Sequence, residues 1–393
     1  MNTEKTVLRK ELINMNTSLD ILYLNEPDML KAKVNDVVRC TDCMEELLKI
    51  LDKGDYRMGG DNGNSHGCMV TFPDEPEFPN MPKNGPDRRF MAMPAYVGGK
   101  FDIAGMKWYG SNVENREKGI PRSILMVMLN DKETGAPISL MSANLLSAYR
   151  TAGIPGVGVK NLAVKNAKVL GIIGPGVINI TAVETFAALR PTLDTIKIKG
   201  RGKASIDRCI NFIKEKLPQF KTIEVVDTVE DAVRDADIIS FATSTPMGDG
   251  RSAYPFVDEK WIKPGALFCL PGAADFSDEF ITSGRAKLVV DNIKLYEAWA
   301  EEYPYPTYDM IYILGSLFMD LVHDGKLDKS QIHDLGAILN GKLPGRESDD
   351  QIILYSVGGM PVEDVAWGKE VYDYAVANGI GTKLNLWEEP YLF

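Results

Sequence analysis

The chain has 393 residues, 45% of them hydrophobic and 25% charged, with a net charge of −11. That is long enough for two hydrophobic cores and ordinary enough in composition to exclude a disordered or fibrous chain. The acidic balance, with scattered basic residues, leaves no electrostatic footprint for nucleic acid.

The first twenty residues hold no apolar signal core, and no apolar run approaches the roughly 18 residues a membrane helix needs. A cytoplasmic location with no membrane partner is expected. The five cysteines, Cys40, Cys43, Cys68, Cys209 and Cys269, are an odd set in a long chain and read as reduced thiols. Cys40 and Cys43 form a single CxxC within a helical pattern. With no second pair and no nearby histidine, they read as packing residues, and no metal site is expected.

In chain order, residues 25 to 52 place Val34, Val37, Val38, Met44, Leu47, Leu48 and Leu51 at helical spacing, which predicts one amphipathic helix. From Gly54 to Pro86 the chain turns to Gly, Pro and Asn and reads as a long irregular segment. Between Arg89 and Leu140 come short apolar runs, with DKETG as a hairpin signal between the last two, predicting an antiparallel or mixed sheet. After Met141, AKVLGIIG, TIKIKG, TIEVVD, DIISFATS, ALFCLPG and AKLVVDN alternate at first with helical segments. The fold class is therefore α/β, a doubly wound parallel sheet of the Rossmann type beside an α+β domain.

KVLGIIGPGVINITAVETF carries the sharpest local signal, a buried strand that ends in Gly174-Pro175-Gly176-Val177-Ile178-Asn179 and runs into a helix. Gly174 permits a tight turn, and Gly176 lets backbone approach a pyrophosphate at the helix N-terminus. Asn179 replaces the third glycine of the usual fingerprint, so the match is partial. The next strand ends in Gly200-Arg201-Gly202-Lys203, without the acidic residue that accepts hydrogen bonds from the ribose of NAD. Arg201 and Lys203 suit a 2′-phosphate. NADP(H) is the preferred cofactor, with NAD(H) as the alternative.

Beyond these readings, the sequence resembles the ornithine cyclodeaminase and mu-crystallin family from about Arg57 to the C-terminus. The carriers are MPAY at 93–96, the strand of Lys107, LNDKETGAPISLMSANLLSAYRTAG at 129–153, the GPGV loop, VEDAVRDADIISFATS at 229–244, and DQIILYSVGGMPVEDVAWGKEVYDYA at 350–375. The resemblance implies a substrate and dimerisation domain at 1–150, a Rossmann domain at 151–375, a C-terminal return at 376–393, and a homodimer. It implies that Arg57, Lys107 and Arg150 hold a substrate carboxylate, a task suited to forked guanidinium donors and a point ammonium. Thr151, Thr243, Ser244 and Val357, in the matching blocks, join Gly174, Gly176, Val177 and Ile178 as expected cofactor contacts.

The departures narrow the chemistry. Two carboxylates that the resemblance implies for a cyclodeaminase fall on Ala273 and Met91, and Asp275 lies two residues beyond the first. Three readings follow: an oxidoreductase interconverting a small amino acid, or an N-substituted one, with its imine; a cyclodeaminase that recycles its nicotinamide; and a mu-crystallin-like protein binding NADPH and a small ligand. The first is preferred. Its catalytic candidates are Lys107 and Asp275, with His66 as a second acid or base, while His323 and His333 read as structural. Arg122, where many relatives carry a threonine, is the candidate for a second acidic group on the substrate.

Overall fold

The computed structural model describes residues 17–243 and 249–392. The chain builds two eight-stranded sheets. The first uses β1 (Leu19–Leu24), β2 (Tyr56–Met58), β3 (Cys68–Val70), β4 (Arg89–Val97), β5 (Ile103–Ser111), β6 (Ser123–Asn130), β7 (Pro137–Ser142) and, far along the chain, β16 (Thr382–Trp387). Its order is β16-β1-β7-β6-β5-β4-β2, with β3 also on β4. The β1–β7 pair is parallel and the other pairs are antiparallel, the mixed sheet expected. The DKETG turn closes the β6–β7 hairpin, with Gly135 at a φ of 74°.

The second sheet is wholly parallel, with β8 (Val169–Ile173), β9 (Thr195–Lys199), β10 (Thr222–Val226), β11 (Ile238–Phe241), β12 (Leu267–Leu270), β13 (Ala286–Val290), β14 (Ile332–Asp334) and β15 (Ile352–Ser356). In the order β10-β9-β8-β11-β12-β15-β13-β14, the winding reverses between β8 and β11, where open α/β sheets bind their ligands. Strands β11, β12 and β13 are buried at every position, as expected for a sheet covered on both faces.

The helix expected over 25–52 is two. Asn25 caps a short helix at Glu26–Lys31, Lys33 then takes a φ of 63°, and Asp36 caps a second start for α1 (Val37–Lys53). That left-handed residue breaks the helical ladder, which the apolar spacing alone does not reveal. Cys40 and Cys43 are free, buried and packed along α1.

Helix α2 (Asn144–Leu162) joins the two sheets and packs on both α1 and α3 (Val177–Leu189). A Cβ at Gly156 would lie 2.8 Å from the Thr185 methyl and 3.0 Å from the Thr41 hydroxyl, so the close approach needs glycine there. Helix α5 (Pro361–Ala377) packs on β4, β5 and β6, with α4 (Lys203–Lys216) lying earlier, after β9. The return to the first sheet therefore starts at Pro361, ahead of the expected 376. The cause is legible afterwards: α5 is buried almost all round its first three turns, which requires a sheet face to cover it. Among the described residues, no helix is long and apolar enough to cross a membrane.

Candidate active site

One half of the site is backbone. Strand β8 ends at Gly174, whose φ of 89° and 2.7 Å approach of a notional Cβ to the Ala242 carbonyl both demand glycine. Gly176 is the N-cap of α3, without a side-chain cap, and a Cβ there would meet nothing within 4 Å. The first amides of α3, at Val177 and Ile178, therefore face open space, the arrangement that receives a phosphate group. Asn179 is buried: its amide donates to the carbonyls of Ile173 and Gly174 at 3.0 Å, and its oxygen accepts from Ser240 Oγ at 2.7 Å. The residue that spoiled the glycine fingerprint thus ties β8 to β11.

The β9–α4 turn abuts this loop, a Cβ on Gly200 falling 2.8 Å from Pro175. Arg201 and Lys203 are both exposed there, with Lys203 Nζ paired to Asp207 at 2.8 Å. Of the other expected cofactor contacts, Thr243 bonds the Ala273 carbonyl at 3.0 Å, and the buried Val357 donates its amide to Leu270 at 3.2 Å. Both lie where parallel strands end. The Thr151 hydroxyl bonds back to the Ser147 carbonyl of its own helix. Ser244 lies outside the described residues.

The other half is built from side chains. Lys107 on β5 is 3% exposed and Arg150 on α2 is 6% exposed, and both meet α5. Lys107 Nζ donates to Asp364 Oδ2 at 2.6 Å, Arg150 Nε to Asp364 Oδ1 at 3.1 Å, and Arg150 Nη1 to Glu363. Asp364 thus bridges the two cations. Burial would push its carboxyl up, but Arg150 and Lys107 together hold it below the ordinary value. Burial, aided by Arg150, brings Lys107 down to about 8. Glu363 is pushed up to about 7 by burial, with Arg150 opposing and the carboxylates Asp291 and Asp364 adding to the shift.

His66 feels the charges of Lys107 and Arg150. Its Nδ1 lies 2.9 Å from the Gly359 carbonyl, which only accepts, so the proton is on Nδ1 and the lone pair on Nε2. Burial and then the Lys107 charge lower its pKa to about 3, against the pull of the Gly359 carbonyl. The Gly358 and Gly359 amides are held in turn by Asp291, at 2.7 and 3.3 Å. The two halves meet along α2, where the Ala148 carbonyl, two residues before Arg150, lies 3.4 Å from the Thr181 hydroxyl in the first turns of α3.

Two expected residues have partners of their own outside the Lys107–Arg150 group. Arg57 is opposite Tyr96 in the β2–β4 register, while Lys107 is opposite Met93, so strand alternation puts the two cations on opposite faces of the sheet. Arg57 is exposed and donates to the Tyr56 carbonyl, outside the clamp. Asp275 accepts from Arg251 Nε at 2.7 Å, so its carboxylate is already engaged. Met91 and Ala273, at the positions of the two cyclodeaminase carboxylates, are buried and apolar in character. His323 is exposed against the Tyr305 ring, and His333 lies by the Gln331 and Leu288 carbonyls, both consistent with structural roles.

Three charged residues of the candidate site escaped the sequence reading. Glu363 and Asp364 lay inside a quoted block, where their signal was a pair of acids at the start of an otherwise apolar helix. Arg89 was taken only as the start of a strand. Strand parity puts it on the Lys107 face, opposite Ser111, and it stands over the Tyr109 ring at 5.8 Å.

The ornithine cyclodeaminase/mu-crystallin family model matches residues 33–379. The chain belongs to that family. It is 28% identical over 371 residues to N-((2S)-2-amino-2-carboxyethyl)-L-glutamate dehydrogenase of Staphylococcus aureus, covering 94% of this chain and 99% of the relative. In fold it resembles Thermococcus litoralis Δ1-pyrroline-2-carboxylate reductase, solved with NADH and L-proline, with a TM-score of 0.72, 23% identity, and 92% and 99% of the two chains covered. It also resembles an archaeal alanine dehydrogenase dimer with bound NAD, with a TM-score of 0.71, 22% identity and 94% and 100% covered. Family membership, the parallel sheet and the glycine loop together make the chain an enzyme of the NAD(P)-dependent dehydrogenase and reductase kind.

Proposed function

We propose that the protein interconverts a small amino acid, or an N-substituted amino acid, with its imine by hydride transfer, using NADP(H). The observation that carries this reading is the buried Lys107–Asp364–Arg150 bridge, whose two cations act electrostatically on His66. Lys107 and Arg150 bind the substrate carboxylate, and Asp364 orients both cations for it. When bound, the nicotinamide takes up or returns the hydride at the substrate α-carbon. In the oxidative direction, His66 Nε2 takes the proton that leaves nitrogen as the carbon–nitrogen double bond forms.

The bound carboxylate also tunes this base. Lys107 and Arg150 disfavour a charged imidazole in the free protein, and a carboxylate between them offsets that repulsion, so substrate binding raises the proton affinity of His66. Cyclodeamination is disfavoured by the apolar Met91 and Ala273. The staphylococcal relative, by its name, acts on an N-substituted glutamate, which falls within the proposed class. Arg201, in a turn free of carboxylates, supports the choice of NADP(H). A cytoplasmic location accompanies this reading.

A homodimer belongs to the same proposal. The outward face of the first sheet exposes Val70, Phe90, Trp108, Ile124 and Met126, with Phe90 and Trp108 stacked at 6.0 Å. A contiguous apolar face of this kind marks an interface, and a similarly folded alanine dehydrogenase is described as a dimer.

The test is absorbance at 340 nm with NADPH or NADP⁺ across amino acids, oxoacid and amine pairs, and cyclic imines. It is run beside ammonia release from ornithine without added cofactor. Net nicotinamide turnover supports the proposal, whereas ammonia release with unchanged absorbance overturns it in favour of a cyclodeaminase.

A further inference from the structure

Beyond the clamp, the same face of the first sheet carries a second group of charges. Asp87, in the left-handed region with a φ of 57°, pairs with both Arg89 and Arg122, the latter at 3.2 Å. Its other oxygen contact is Ser111 Oγ, which donates at 2.6 Å and accepts in turn from Ser123 at 3.0 Å. One carboxylate thus engages two guanidinium groups, leaving a net positive charge in this cluster. Tyr312, half-buried, feels the charges of both arginines and of Asp87.

Arg89 is not satisfied by this network. Its Nε is buried and has no hydrogen-bond partner among the described residues. A buried guanidinium nitrogen without an acceptor is costly unless a ligand supplies one. The Tyr109 ring locates the two cations relative to each other: Lys107 Nζ is 5.7 Å and Arg89 Cζ is 5.8 Å from its centroid. The two charges are therefore no farther apart than the sum of those distances, a span that a short dicarboxylate bridges.

We propose that Arg89, fixed by Asp87 and assisted by Arg122, forms a second carboxylate subsite, so that the substrate is an amino-acid imine bearing a further carboxylate at its far end. This rests on the oxidoreductase reading for the near end of the substrate. The Lys107–Arg150 pair holds the carboxylate beside the reacting carbon, and Arg89 holds the distal one across the Tyr109 ring. The subsite contributes specificity, because a monocarboxylate leaves Arg89 Nε without an acceptor, while Asp87 and the Tyr109 hydroxyl engage the rest of the guanidinium.

The test uses full-length protein with NADPH and two imines formed in solution, one from pyruvate and methylamine and one from 2-oxoglutarate and methylamine. They differ by one distal carboxylate and its chain. Wild type is expected to favour the 2-oxoglutarate imine by about 30-fold in kcat/KM. Arg89→Gln should lower that preference roughly tenfold while retaining turnover of the pyruvate imine, and Arg89→Lys should fall between them. Equal loss on both imines, or an unchanged ratio, overturns the subsite.

If wild type reduces neither imine, the oxidoreductase reading fails separately, and the subsite is then decided by binding. Glutarate, but not butyrate, should raise the unfolding temperature of wild type and not of Arg89→Gln. Equal protection by the two acids, or none, overturns it.

Discussion

The two halves of the site are made by opposite means. The proposed nucleotide half is backbone from one continuous stretch, with Gly174 shaping the turn and Gly176 leaving the α3 amides open. The proposed substrate half is side chains from the loop before β3, from β4, β5 and α2, and from α5, more than 200 residues further along. A backbone cradle carries only partial charge and is stable when empty. A pair of buried cations is not, and Asp364 and Glu363 are the counter-charges that let Lys107 and Arg150 stay buried without substrate.

Breaking the side-chain half should therefore cost folding as well as function. Arg150→Met leaves Glu363 and part of Asp364 without a partner, and an unpaired buried charge typically costs about 3–5 kcal/mol. Urea unfolding should show a loss of that size, together with loss of turnover. Pairing the change with Glu363→Gln should recover part of the stability and none of the activity. A single variant as stable as wild type would mean that the acids do not need Arg150.

His66 separates chemistry from stability. His66→Gln should lower kcat about 100-fold while changing KM little, as for loss of a general base. The folded-state pKa near 3 lies below the ordinary 6.5. Above pH 6.5 neither state is protonated and the residue adds no pH dependence. Between 6.5 and 3 the unfolded chain takes a proton that the folded protein refuses, so stability is lost as the pH is lowered, and the loss is complete below 3. The glutamine variant should lose less stability than wild type over that acid window. Parallel stability curves with an unchanged kcat would remove His66 from the mechanism.

The backbone half should respond differently. Gly174→Ala forces an unfavourable φ and a contact with the Ala242 carbonyl, and should destabilise by more than about 1 kcal/mol. Gly176→Ala has room, so the fold should keep its stability within about 0.5 kcal/mol while NADPH binding weakens roughly tenfold, measured by calorimetry. Equal effects of the two changes on folding would contradict the distinction between a turn glycine and a cradle glycine.

What the sequence revealed follows the same division. The glycine loop, the parallel strands and the β6–β7 hairpin rest on local spacing and turn chemistry, and each is where its residues place it. Lys107 and Arg150 were named through resemblance, whereas the acids paired with them were not, because neither partner is local. The face of Arg57 was not legible either: a three-residue strand gives too little alternation to read, and only its pairing with β4 places it opposite the Lys107 face. The partner of Asp275 was not legible, because Arg251, which engages it, is 24 residues away in a stretch with no pattern of its own. The helix over 25–52 failed at one residue, Lys33, whose left-handed backbone leaves the apolar spacing intact.

The smallest expected effect tests where these halves meet the choice of cofactor. At the β9–α4 turn Lys203 is partly neutralised by Asp207 one helical turn on, whereas Arg201 is exposed in the same carboxylate-free turn. Arg201 should therefore carry most of the discrimination. Arg201→Ala should raise KM for NADP⁺ about tenfold and leave NAD⁺ unchanged, the scale of one lost charge-assisted contact to phosphate. Lys203→Ala should shift it by no more than about threefold, because breaking an exposed ion pair releases little. Since Asp207 is freed in that variant, its repulsion of a 2′-phosphate could account for the whole change, and Lys203→Ala with Asp207→Asn should return close to wild type. Equal sensitivity of NAD⁺ and NADP⁺ to Arg201→Ala would place the arginine on the part of the nucleotide the two share and leave the 2′-phosphate without a reader.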